Sequence, residues 1–479
     1  MNKAIGRVFL VGVALFVAVI LNLTWLQVIR ADHLAKRPEN KRQLAKELRI
    51  KRGAILGFDG SVIARSVRRS GFYHRVYPQG ALAPQLVGYD SVRYGRTGIE
   101  AQMNDELLGT ASGLGVRSWV DQILGRKPTG ADVATTLVPD VQTVAQGALA
   151  GKKGAIIALD PVTGAVIASA SAPSYDPRRL EDDWEQLIRD EDAPLLGRPL
   201  QGLYAPGSAF KVVTAAAGLE SGVVIPETRF VDTGTYVVYG GKVTNYDGAV
   251  YGPHDFETAL TQSINTTFGK VGNELGRRRL VEAMQRFGFW QVPPLELPSG
   301  AVFASGRYDD EGLLSPEAQM DPLAVAWAAC GQEQVLATPL QMALVASAVA
   351  NGGPVMRPYV VQEVRTADGR VVEQATPAEW LTAIQPATAL SLNAMMQRVV
   401  TSGTGTGAAV EGVKVAGKTG TAERGDGTNL AWFIGFAPAD DPRVVVAVVV
   451  EDTLSTGGSE AAPMAALVLR AALAEERLP

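Results

Sequence analysis

The stretch Pro206-Gly207-Ser208-Ala209-Phe210-Lys211 decides how this chain is read. It sets a serine hydroxyl and a lysine amine three positions apart. They stand where a proline and a glycine give way to the apolar run Val212-Val213-Thr214-Ala215-Ala216-Ala217. Residues three apart share a helix face, so the two groups can exchange a proton, and a neutral lysine can activate the serine as a nucleophile. A lone Ser-x-x-Lys pair is a weak signal that composition alone produces in chains of this size. Ser208 can equally cap the helix that follows, and Lys211 can be a solvated helix residue. The reading depends on what accompanies the pair.

Two clusters do. Ser263-Ile264-Asn265 lies in TALTQSINTTFGKVG, a run that reads as a helix with an interruption. Ser263 and Asn265 are not neighbours on a regular helix face, so they converge only if they occupy a loop between helices. Lys418-Thr419-Gly420-Thr421 is expected to end a strand that starts at Val413. Its glycine removes a side chain where a substrate backbone can lie close. Its lysine supplies positive charge and its threonines hydroxyls, a set that suits a terminal carboxylate. Each cluster has a plainer reading as capping or turn residues, and Ser391-Leu392-Asn393 repeats the Ser-x-Asn pattern by accident. Lys-Thr-Gly occurs once, and the order Ser-x-x-Lys, Ser-x-Asn, Lys-Thr-Gly is that of a known catalytic set.

Other chemistries have less support. The histidines, His33, His74 and His254, form no metal-ligand spacing, so neither a metal nor a cofactor is expected. His254-Asp255 leaves a Ser-His-Asp triad open, although the lysine is the simpler base. Cys330, the one cysteine, follows an apolar stretch and reads as a small core side chain. A net charge of −4, without a basic block joined to an aromatic ladder, argues against nucleic acid.

The length of 479 residues implies two or three domains, and 47% hydrophobic against 20% charged residues permits a large core. Residues 8–29, VFLVGVALFVAVILNLTWLQVI, carry no charge and read as a transmembrane anchor behind a short head, residues 1–7. A cleavable signal peptide is the rival reading, but no Ala-x-Ala site follows. The basic residues from Arg30 to Arg42 would by themselves keep the large domain in the cytoplasm. Residues 30–150 read as a charged stalk helix to about residue 50 and a small mixed domain. Within it, Arg52 to Ala64 forms a strand, a turn at Asp59-Gly60 and a second strand. Residues 131–149 read as a strand leading into a helix. From 151 to 479 a larger domain opens on a hairpin around Asp160-Pro161-Val162-Thr163-Gly164. It closes on strands at 413–419, 429–437 and 444–452 and a terminal helix at 459–476. Helical patterns lie between, at 207–220, 258–274, 338–350 and 387–400. Strands at both ends imply a central antiparallel sheet with flanking helices, an α/β (α+β) sandwich.

Together these motifs resemble the class B penicillin-binding proteins, the actinobacterial branch called penicillin-binding protein A above all. Supporting segments include Arg52-Gly53 with Asp59-Gly60, Tyr77-Pro78, Thr97-Gly98-Ile99-Glu100 and Tyr204-Ala205 ahead of the serine. Thr338-Pro339-Leu340-Gln341, Asn351-Gly352-Gly353, Thr404-Gly405-Thr406-Gly407 and Trp432 to Pro438 add to them. Gly57-Phe58 replaces the family's fuller Asp-Arg-Asn-Gly, and Glu333 after Gly331-Gln332 is a second departure. The resemblance implies a penicillin-binding-protein and serine β-lactamase-like transpeptidase domain on a pedestal, held by one transmembrane helix in the bacterial cytoplasmic membrane with the catalytic domain on the outer face. It implies a peptidoglycan D,D-transpeptidase acting on stem peptides and acylated by β-lactam antibiotics. Ser208 would be the nucleophile, Lys211 the base, Ser263 a proton relay tuned by Lys418, and Asn265 a holder of substrate amide and Lys211. Thr419 and Thr421 would bind the terminal carboxylate, and the backbone N–H groups of Ser208 and Thr421 would form the oxyanion hole.

No glycosyltransferase fits before residue 150, so a separate glycan polymerase is expected as a partner, with division or elongation proteins. The rival functions are a D,D-carboxypeptidase, a β-lactamase, a β-lactam sensor and a non-enzymatic division scaffold. No Glu-x-x-x-Asn loop supports the best-known β-lactamase class, and a seven-residue head leaves a sensor no cytoplasmic domain.

Overall fold

The computed structural model describes residues 2–25, 46–111 and 129–479. Most of the expected stalk helix therefore lies outside the described residues. Helix α1 is described over Asn2–Thr24, and residues 26–29 of the uncharged stretch lie outside the described residues. Among the described residues no helix is long and apolar enough to cross a membrane. The expected anchor over 8–29 is corrected accordingly, and with it the single-pass membrane placement.

The chain then forms β1 (Ile55–Leu56), β2 (Val62–Arg69), β3 (Phe72–Val76) and β4 (Asp132–Thr135), before α2 (Pro139–Ala148), β5 (Lys153–Leu159) and β6 (Val166–Ala172). The turn at Asp59-Gly60 joins β1 to β2 antiparallel, as the Gly60 φ of 79° and the Ser61 N–H donating to Asp59 Oδ1 favour. Further on come α3 (Lys211–Glu220), α4 (Phe256–Thr261), α5 (Asn265–Arg286), α6 (Pro339–Ala350), β7 (Val361–Arg365), β8 (Val371–Gln374) and α7 (Pro386–Ser402). The chain closes with β9 (Ala416–Glu423), β10 (Asn429–Ala437), β11 (Val444–Thr453) and α8 (Ala462–Ala474).

The central sheet has the order β9-β10-β11-β5-β6, antiparallel at every pairing. The first and last parts of the larger region are thus joined side by side. Strand β11 is apolar without alternation, which requires cover on both faces. Val445, Ala447 and Val449 enter the core that holds α3 and α6. Val446, Val448 and Val450 enter a second core with Val468 and Leu469 of α8 and Val141 of α2. Helix α3 is buried from Lys211 through Gly218 and packs between α5 and α7. An apolar helix surrounded by protein is a rigid mount for whatever stands at its N-terminus.

A second sheet, ordered β8-β7-β4-β1-β2-β3, is mixed, with β1 parallel to β4. Its strands β7 and β8 come from far along the chain, so this sheet joins the N-terminal segment to residues that follow α6. A buried ion cluster holds it. Glu100, fully buried, accepts from Arg52 Nε at 2.9 Å and Arg75 Nε at 2.5 Å, and Arg52 also reaches Asn104 Oδ1 at 2.8 Å. This is the physical content of the Arg52-Gly53 and Thr97 to Glu100 segments. Glu100→Gln leaves two buried guanidiniums facing a neutral amide. It is expected to cost about 3–5 kcal/mol of stability, read as a lower denaturant midpoint; an unchanged midpoint would show that the cluster contributes nothing.

Candidate active site

Ser208 sits in the 3-10 turn Gly207–Phe210 at the mouth of α3. Gly207 has φ 51°, and a Cβ there would lie 2.8 Å from the Thr421 carbonyl. The turn therefore needs glycine twice, for its backbone angle and for contact with β9. Gly420 answers it from the other side, where a Cβ would meet the Pro206 carbonyl at 2.6 Å. Trp432 on β10 donates from Nε1 to the Ala205 carbonyl at 3.0 Å. The segment leading to the serine is braced by Tyr204, whose hydroxyl donates to Glu451 Oε1 at 2.8 Å, and that carboxylate also takes Arg198 Nε at 2.8 Å.

Ser263, expected in a loop, joins α4 to α5 with φ 61°. This left-handed backbone is uncommon for a residue other than glycine and persists where surroundings enforce it. The kink brings Ser263 and Asn265 to the same amine. Lys211 Nζ lies 3.1 Å from Ser208 Oγ, 2.6 Å from Asn265 Oδ1, 2.7 Å from the Ser263 carbonyl and 3.3 Å from Ser263 Oγ. Two carbonyl oxygens can take both N–H bonds of a neutral amine, which leaves its lone pair for the Ser208 hydroxyl. Burial pulls the Lys211 pKa down to about 8, against a smaller opposing effect of the Cys330 thiol. Lys418 is also fully buried. Its Nζ donates to Ser263 Oγ at 2.9 Å and to the Thr419 carbonyl at 2.9 Å. Burial first, and Lys211 second, hold its pKa well below the usual lysine range.

The Lys-Thr-Gly segment is not at a strand end. Strand β9 runs through it from Ala416 to Glu423 and pairs with β10 at Lys418↔Ile434, Gly420↔Trp432 and Thr421↔Ala431. Val413 instead bridges Val410, and the chain turns only beyond Glu423, where Arg424 N–H donates to the Thr428 carbonyl. Strand alternation then places Thr419, Thr421 and Glu423 together along a cleft of about 380 Å³ that also exposes Ser208, Ser263 and Asn265. Of the eight expected site residues, Ser208, Ser263, Asn265, Thr419 and Thr421 line this cleft, and Lys211, Lys418 and Gly420 lie buried directly behind them.

His254 is not part of it. Its ring nitrogens engage the Gly252 carbonyl and Thr267 Oγ1, each at 2.8 Å, and its ring stacks on Phe230. Asp255 caps α4 through Thr258 N–H. Cys330 is buried, with Sγ 3.5 Å from the Asn265 carbonyl. Among the described residues no group of His, Cys, Asp and Glu is arranged to hold a metal. Sequence reading missed the cleft wall formed by Thr244, Tyr246, Asp247 and Tyr251, and Trp327, which also lines the cleft. The Asp247-Gly248 turn signal was the one available hint.

Residues 154–470 match the penicillin binding protein transpeptidase domain family, and residues 52–133 match the penicillin binding protein A dimerisation domain. The chain belongs to the penicillin-binding protein transpeptidases. It is 36% identical to the peptidoglycan D,D-transpeptidase PbpA of Mycolicibacterium smegmatis, over 99% of this chain and 100% of the relative. The penicillin G acyl-enzyme complex of penicillin-binding protein A from M. tuberculosis superposes with a TM-score of 0.80 at 33% identity, covering 88% of this chain and 99% of that one. The D,D-transpeptidase domain of a peptidoglycan glycosyltransferase from Eggerthella lenta does so with a TM-score of 0.79 at 40% identity, covering 89% and 98%.

Proposed function

We infer that this chain is a serine-type peptidoglycan D,D-transpeptidase that works through an acyl-enzyme and is inhibited by β-lactams. The observation that carries the reading is the buried Lys211 amine 3.1 Å from Ser208 Oγ, its N–H bonds directed at Asn265 and Ser263. In the proposed cycle Ser208 Oγ attacks the carbonyl carbon of the last D-Ala-D-Ala bond as Lys211 takes its proton. Backbone N–H groups of Ser208 and Thr421 face the oxyanion, whose charge exists only in the transition state and intermediate. Ser263, between Lys211 and Lys418, passes a proton to the departing amine, and free D-alanine leaves. Thr419 and Thr421 hold its carboxylate beforehand. The amine of a second stem peptide then attacks the ester, an amide forms, and Ser208 recovers its proton. A membrane glycan polymerase and division or elongation proteins are proposed as partners, since this cleft polymerises no glycan.

The test is an exchange reaction. Incubated with a stem pentapeptide and isotope-labelled D-alanine, the protein should release unlabelled D-alanine and yield pentapeptide carrying the label. Tetrapeptide alone would make it a carboxypeptidase.

A further expectation separates it from β-lactamases. The hydrogen bonds of Ser208, Lys211 and Ser263 run to one another, to Asn265 and to Lys418, with no carboxylate among them in the described residues. Glu423 and Asp247 line the cleft but hydrogen-bond to none of the three, so a penicillin adduct has no second base in contact with the centre to activate water, and a chromogenic cephalosporin should give one stoichiometric burst without steady turnover. Sustained hydrolysis over many cycles would place the chain with the β-lactamases instead.

A further inference from the structure

We propose that Asp232 is a positioning residue for the catalytic centre: its buried carboxylate ties the cleft wall at Thr244 to Tyr251 onto the first turn of α5, and so holds Asn265 where it grips Lys211. The proposal rests on the reading of Lys211 as the base. Asp232 stands at the end of the short strand Arg229–Asp232, far from any of the three motifs in sequence. Its Oδ1 accepts from Thr266 Oγ1 at 2.6 Å and Gly234 N–H at 2.9 Å. Its Oδ2 accepts from Asn245 Nδ2 at 2.9 Å and Tyr251 N–H at 2.8 Å. One carboxylate thus joins both ends of the loop to Thr266, the residue after Asn265.

Asn245 closes the ring by accepting the Thr266 N–H at 3.1 Å, and Asn265 Nδ2 donates to the adjacent Thr244 carbonyl at 2.8 Å. The Asn265 amide is therefore fixed at both ends, by Thr244 on one side and by Lys211 Nζ on the other. Burial opposes the Asp232 charge, but the hydrogen bonds from Thr266, Tyr251, Gly234 and Asn245 outweigh it, so the carboxyl stays below its ordinary range. Four donors aimed at two oxygens suit an anion and no other side chain of that size. The charged or titratable groups facing Lys211 are Lys418 and Cys330, and the one facing Asp232 is the Tyr251 phenol.

Asp232→Asn turns one acceptor oxygen into an NH₂ group that confronts two donors. The loop and the first turn of α5 then separate, Asn265 loosens, and water reaches Lys211. The experiment is the second-order acylation rate by benzylpenicillin across pH, with thermal melting alongside. The expected result is a roughly tenfold loss at neutral pH and a rising limb displaced upward by about one pH unit, because a better hydrated amine keeps its proton longer. A merely structural role lowers the rate equally at every pH and leaves the limb in place. An unmoved limb in folded Asp232→Asn, while the wild-type limb is present, overturns this inference alone. Absence of the limb in the wild type overturns the reading of Lys211 and the inference with it. Thr266→Val, which removes one donor to the same carboxylate, decides the matter if the asparagine variant does not fold; its limb should move in the same direction by less.

Discussion

Ser208→Ala is expected to abolish covalent labelling by penicillin while the protein keeps its melting temperature. The hydroxyl is half-buried at the cleft floor and its one described partner is Lys211, so its loss leaves a methyl in a turn and no orphaned buried group. The backbone of that turn is set by other contacts. Gly207 N–H donates to the Gly331 carbonyl at 2.8 Å, and Gly207 and Gly420 pack against the facing backbone. The fold should hold within about 0.5 kcal/mol. The chemistry should not, since removing the nucleophile of a serine acyl-transfer enzyme costs on the order of 10⁶ in rate. Labelled, folded Ser208→Ala would mean that another residue attacks the drug.

Lys211→Arg is expected to lower acylation by about 10²-fold or more and to erase the pH dependence that the base imposes. A guanidinium keeps the positive charge but cannot give up its proton near neutrality. In the wild type, burial brings the Lys211 pKa down to about 8. The neutral, reactive amine is therefore the minor form at neutral pH. The acylation rate should rise as pH climbs toward 8 and then level off. The sign is fixed by the chemistry, because the deprotonated form is the base. A falling profile, or a Lys211→Arg protein that acylates near the wild-type rate, would remove Lys211 from that role. His254 would not replace it easily, with both ring nitrogens already engaged by Gly252 and Thr267.

How far the site could be read from sequence follows from where its order comes from. The hairpin of β5 and β6 and the strands β10 and β11 were legible, because long apolar runs between Gly and Pro turns encode them locally. Ser263 was legible as a loop residue through the interruption in its helical pattern. The strand carrying Lys418 was misplaced by three residues at its start. Gly417 and Gly420 look like a strand end in isolation, whereas here they are close-approach positions inside a paired strand. Strands β7 and β8 were missed because they are short, and β7, which carries β8, finds its partner β4 more than two hundred residues earlier. Asp232 and Asn245 resemble ordinary turn residues in sequence, and only the fold turns them into a buried support. The uncharged stretch at 8–29 misled for the opposite reason: its composition suits a span, but among the described residues no helix is long and apolar enough to cross a membrane.

The central claim is that Ser208 is the acyl-enzyme nucleophile of this cleft. Peptide mass spectrometry after incubation with benzylpenicillin tests it most directly. The account predicts the mass of one intact drug added to the peptide that carries Ser208, and to no other. An adduct on a different residue, or none on properly folded protein, would contradict it.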